Sequence, residues 1–160
     1  MYEGYVWGFT MLILGALLSL GAFQLLMAAA APGAVAQAAR NLDRGGFLRL
    51  TGYLVGGGLL IVLWFALLTG FSKGGPVAKL LFAAPVFLMP FALGAGLAAA
   101  SYCVGARLGS PADAGRPWRR IVRGAATLGL TWIIPIFGSP GILAGTAAIG
   151  LGAVAHALFQ

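Results

Sequence analysis

An all-α, polytopic transmembrane helical bundle is the fold class this sequence predicts, on three observations. Of its 160 residues, 61% are hydrophobic and 8% charged, with a mean hydropathy of +0.98. A soluble domain of this length cannot bury so much apolar surface. The apolar residues are gathered in stretches of roughly 20, enough to cross the hydrocarbon as a helix. The charges fall between those stretches, in short polar segments. Five spans is the favoured count, at about 6–31, 47–71, 77–106, 119–137 and 141–159, forming one transmembrane domain over 1–160.

The first span opens with MYEGYVWGFTMLILGALLSL, where Tyr2, Tyr5 and Trp7 suit an interfacial aromatic anchor. The only charge before Arg40 is Glu3, so the basic leader of a signal peptide is lacking and the stretch reads as a retained span. Pro32-Gly33 ends it, and AQAARNLDRGGFLRL follows as a polar, basic loop. The second span closes at the turn-forming cluster SKGGP, Ser72 to Pro76. In the third, Pro85 and Pro90 each remove an intrahelical hydrogen bond, which predicts a kink.

Arg40, Arg44, Arg49, Arg107, Arg116, Arg119, Arg120 and Arg123 lie in two loops on one side of this arrangement, against Lys73 and Lys79 on the other. The positive-inside rule then places the arginine loops in the cytoplasm of a bacterial inner membrane and the N-terminus outside. The same rule accounts for the net charge of +7 without a nucleic-acid partner. Two units of span, arginine loop and span follow one another, entering their second spans through FLRLTG and RRIVRG, a weak internal repeat of parallel type.

From Val122 to Gln160 the only charge is Arg123. As one helix this tail would be about 58 Å long at 1.5 Å per residue, nearly twice the roughly 30 Å hydrocarbon. Pro135, Gly138, Ser139 and Pro140 mark the break. They form the outer turn between two spans in the favoured reading. Four spans plus a re-entrant or kinked tail is the alternative.

Ionisable side chains inside spans are the usual signature of membrane chemistry, and here they are scarce. Asp43 and Asp113 sit among arginines and read as local charge partners. Ser139 lies in FGSPG, but Phe137 replaces the first glycine of a nucleophile elbow. His156, the sole histidine, is a weak candidate for pigment or haem ligation and more simply an interfacial or hydrogen-bonded residue. Cys103 is the sole cysteine. The expectation is therefore a chain with no catalytic residue, metal or cofactor.

Packing signals are richer. Gly52 and Gly56 form a G-x-x-x-G, and Gly141, Gly145, Ala148 and Gly152 place small residues along the last span. Such spacing lets helix backbones approach closely. The basic segment with Arg107, Arg116, Trp118, Arg119, Arg120 and Arg123 suits anionic lipid headgroups, a cytoplasmic partner or a plain topology signal, and bound lipid is expected.

From about residue 99 onward, ASYCVGARLG, a polar loop, RIVRGAATLGL and WIIPIFG resemble a bacterial membrane module found alone or appended to bactofilin-type cytoskeletal polymers. That resemblance implies a membrane anchor or partner and brings no catalytic residues. The expected function is a non-catalytic multi-pass subunit or scaffold, packing through glycine-rich faces within a homo-oligomer or a larger membrane complex. A small channel or transporter using the broken helix around Gly138 to Gly141 is the alternative.

Overall fold

A computed structural model describes residues 2–109, 115–133 and 140–159 of the protein. Among them the chain forms six helices and no strand: α1 (Tyr2–Ala30), α2 (Pro32–Asp43), α3 (Phe47–Lys73), α4 (Pro76–Arg107), α5 (Pro117–Ile133) and α6 (Pro140–Leu158). Three of these, α1, α3 and α4, are long and apolar enough to cross a membrane. The fold is that of a helical membrane protein.

The segment read as the first polar loop is largely a helix, α2. Its apolar residues Val35, Ala38, Ala39 and Leu42 stand at i, i+3, i+4 and i+7 and are all buried, the spacing of one helix face. Pro32 starts the helix, where its missing N–H costs nothing. Gln37, Arg40, Asn41 and Asp43 keep the segment's mean hydropathy low, which is why it resembles a loop when read by charge. Cys103 Sγ donates to the Ala39 carbonyl at 3.3 Å, so α2 lies along the last turns of α4.

Helix α4 is the central post. Every residue from Gly94 to Ser101 is buried, and the run GAGLAAAS offers little bulk in any direction. Neighbours therefore close in on all sides. Phe23 and Met27 of α1 cover Gly94, while α6 meets α4 backbone to backbone at Gly96 and Gly150. Ser101 donates to Gln24 Oε1 of α1 at 2.6 Å, a fully buried bond between helices. The prolines of α4 do not end it: one helix runs continuously through Pro85 and Pro90. Where Pro90 cannot donate to the Val86 carbonyl, Trp64 of α3 does so instead, its indole N–H 3.1 Å away.

Two helix crossings repeat one geometry. In the α4/α5 pair, a Cβ on Gly105 would strike the Arg120 carbonyl and one on Gly124 would strike that of Ser101. In the α3/α6 pair, Gly57 stands in the same relation to the Ala148 carbonyl and Gly152 to that of Tyr53. Each is an antiparallel crossing in which two glycines, one on each helix, allow backbone contact.

The register of α3 against α6 also sets relative depth. With Tyr53 beside Gly152 and Gly57 beside Ala148, Pro140 falls level with Phe65. From there α3 continues to Lys73, roughly 12 Å further at 1.5 Å per residue. The α3–α4 turn thus projects beyond the start of α6. That hairpin is held by the Trp64 bond, the contact of Phe82 with Gly70, and an edge-on pair of Phe71 with Phe87 at 6.2 Å.

Candidate functional site

The arginines collect at one end of the bundle. Arg40 and Arg44 close α2, Arg49 opens α3, Arg107 ends α4, and Arg119, Arg120 and Arg123 occupy the first turns of α5. Lys73 and Lys79 lie at the opposite end, either side of the α3–α4 turn. Several of the basic groups hold the fold. Arg120 donates to the Tyr102 hydroxyl at 2.9 Å and lies over the same ring, 5.5 Å from its centroid. Arg123 donates to the Leu108 carbonyl at 3.2 Å, satisfying an acceptor at the C-terminus of α4. Arg107 pairs with Asp43 at 3.8 Å, both side chains largely exposed; such a pair contributes under about 1 kcal/mol. Arg119 stacks on Trp118, 5.4 Å from the ring centroid.

Beside this end, α1, α2, α4 and α5 enclose a lateral groove of about 540 Å³. Its floor is Tyr102, Cys103 and Ala106 of α4, its walls are α2 and the start of α5, and Arg40, Asp43 and Trp118 stand on its rim. A second groove of about 510 Å³ runs between α1 and α5, and Leu25 lines both. Each volume lies within the roughly 300–1,000 Å³ of small-molecule sites. Neither groove was legible in the sequence. Of the residues singled out there, the structure brings Trp118 to the rim and Arg119 and Arg120 beside it, but Arg40, Asp43 and Leu25 were not among the candidates. The signal that could have found Arg40 is the amphipathic face of α2.

The glycine candidates divide. Ala148 and Gly152 lie in the α3/α6 crossing, and a Cβ on Gly145 would come no nearer to a neighbour than Leu54 at 4.0 Å. On α3 the contact residue is Gly57; Gly52 and Gly56 have no neighbour within 4 Å of a built Cβ. One residue rotates an α-helix by about 100°, which turns the Gly52–Gly56 stripe away from α6 once Tyr53 and Gly57 face it. Pro140 is the first residue of α6, and Gly141 lies in its first turn. Pro135, Gly138 and Ser139 fall outside the described residues, as does Asp113. Arg116 is exposed just before α5.

His156 is exposed in the last turn of α6, and its ring lies 5.7 Å from that of Tyr53, tilted by 43°. Gln24 and Ser101, buried polar residues that the sequence did not single out, bond to each other in the core. Among the described residues no three metal-ligating side chains converge.

The fold and its groove define a helical membrane protein with one strongly basic end. Comparison with protein-family models, with curated proteins and with solved structures finds no match.

Proposed function

We propose that the chain is a non-catalytic, multi-pass subunit of a bacterial cytoplasmic membrane, crossing it five times and assembling with a second copy or with other membrane-embedded chains. The observation that carries this reading is α3. In its 27 residues only Gly57 is buried within the chain, and the Gly52–Gly56 stripe is left bare beside it. Close-approach glycines that serve the fold, such as Gly57, Gly96, Gly124 and Gly150, are already engaged. An uncovered small-residue stripe suits the backbone of another helix better than it suits lipid.

Five crossings fit the helix lengths. At 1.5 Å per residue the 17 residues of α5 and the 19 of α6 reach about 26 and 28 Å, close to the roughly 30 Å hydrocarbon. By the α3/α6 register, Arg49 is level with His156. Pro140 then lies about 24 Å beyond Arg49, well past a midplane at roughly 15 Å. This favours an outer turn over a re-entrant loop, with the arginines in the cytoplasm and the N-terminus outside.

Both parts can be checked in native membranes with the Cys103→Ser protein as background. A cysteine replacing Ser139 should react with an impermeant thiol reagent added from the outside; protection there would favour the re-entrant tail. Cysteines replacing Gly52 or Gly56 should form disulfide-linked products with a second copy or with another protein. Absence of any product, together with a monomer in mild detergent and in lipid nanodiscs, would overturn the assembly reading.

A further inference from the structure

We propose that the two adjoining grooves along α1 and α5 together hold one anionic phospholipid of the inner leaflet, its headgroup phosphate at Arg40 and one acyl chain running toward Leu14 and Leu130. The inference rests on the membrane location of the chain and is independent of its assembly.

Three observations carry it. Leu25 lines both grooves, and the α1 residues lining them, Leu14, Leu18, Gly21, Leu25 and Ala28, recur at helical spacing as one stripe. On α5 the stripe continues from Trp118 through Ile121, Ala125 and Leu130. Measured along α1, Leu14 to Ala29 spans roughly 23 Å, longer than the roughly 15 Å of one leaflet. A chain entering at the basic end therefore stays in contact with protein through its whole depth.

The second observation is the chemistry of the rim. Arg40 faces the groove and is exposed at its mouth, Trp118 offers an indole of the kind that settles at headgroup level, and Arg119 lies against that indole. Among the described residues Asp43 is the only acidic group lining the groove, and Arg107 stands beside its carboxylate. The rim as a whole is positive, and charge complementarity selects a phosphate without a balancing ammonium.

The third is depth of burial. Beneath Arg40 the walls are Pro32, Val35, Ala36 and Ala39, with Cys103 bonded to the Ala39 carbonyl. They provide an apolar surface for a chain rather than a polar cradle for a free ion.

The test uses the full-length chain, stripped of lipid in a neutral detergent. Native mass spectrometry then compares phosphatidylglycerol with phosphatidylcholine of the same acyl chains. One phosphatidylglycerol should bind about fivefold more tightly than the choline lipid, the worth of roughly one basic residue near a membrane surface. Arg40→Gln should remove that preference while leaving chain-dependent binding, and Arg44→Gln, outside the groove, should not. Ala36→Trp and Ala126→Trp place bulk in the two grooves at exposed positions and should each weaken both lipids. Equal binding of the two lipids, indifference to Arg40→Gln, or full retention in both tryptophan variants would overturn the proposal. Displacement by millimolar inorganic phosphate would do so as well, since it would make the site one for a free anion.

Discussion

Replacing Gly96 or Gly150 with alanine should destabilise the protein by about 2 kcal/mol, more than alanine at a glycine that faces only side chains. A Cβ on Gly96 would lie 2.5 Å from the Gly150 carbonyl carbon and 2.6 Å from the Leu151 nitrogen, and a Cβ on Gly150 would meet the backbone of Gly96 in return. Backbone atoms cannot rotate away. The helices must separate, and with them the packing of α4 against α6. Overpacking a close contact costs typically about 1–3 kcal/mol, while alanine recovers up to about 1 kcal/mol of helix propensity over glycine, so a cost at the upper end of the first range leaves a net loss of about 2 kcal/mol.

The same measurement grades the other glycines. At Gly94 the new methyl would meet Met27 Cγ at 2.8 Å and the Phe23 ring. Those side chains can shift, so a smaller loss is expected. Gly145→Ala makes only an ordinary contact with Leu54, and Gly52→Ala meets nothing within the chain. Both should be neutral or slightly stabilising in detergent. Equilibrium unfolding in mixed micelles gives the order directly, and a Gly52→Ala loss as large as that of Gly96→Ala would contradict the phase assigned to α3. If Gly52→Ala leaves the monomer's stability unchanged but weakens cross-linking in membranes, the bare stripe is serving an interface between chains.

What the sequence made legible follows from which forces act locally. Hydropathy is a property of segments, so α1, α3 and α4 could be read from composition, and the turn between α3 and α4 stands where SKGGP marks it. Helical phase is not local. The G-x-x-x-G spacing of Gly52 and Gly56 is genuine, yet nothing in the spacing says which side of α3 meets α6, and the contact fell to Gly57, about 100° away. Helix α2 was hidden for a different reason: its buried face is only four residues, Val35, Ala38, Ala39 and Leu42, and Gln37, Arg40, Asn41 and Asp43 outweigh them in any window average. The groove beside it depends on how four helices meet, and no single segment encodes that. Arg40 could be counted as a topology signal from the sequence, but its place on the rim of a cavity required the fold.

Trp64 and Pro90 should show a coupling of about 1 kcal/mol in a double-mutant cycle, although the two are on different helices. Proline has no N–H, so Pro90 leaves the Val86 carbonyl four residues earlier without its intrahelical donor. Val86 is buried, and in hydrocarbon no water can take the donor's place. The Trp64 indole supplies the missing bond at 3.1 Å. Trp64→Phe keeps most of the ring's volume and removes the donor, which should cost about 1–2 kcal/mol: an acceptor left buried and unpaired loses roughly 1–3 kcal/mol, and bonds between membrane helices measure at the lower end of such values. With Pro90→Ala in place, the alanine N–H can reach the Val86 carbonyl within α4, so the same tryptophan substitution should cost less. Strictly additive effects would mean that the indole contributes only packing. Because this bond ties together the halves of α3 and α4 next to their turn, its loss should also raise hydrogen exchange around Phe65 to Phe71 and Pro76 to Val86, ahead of any change in the tightly crossed arginine-bearing half.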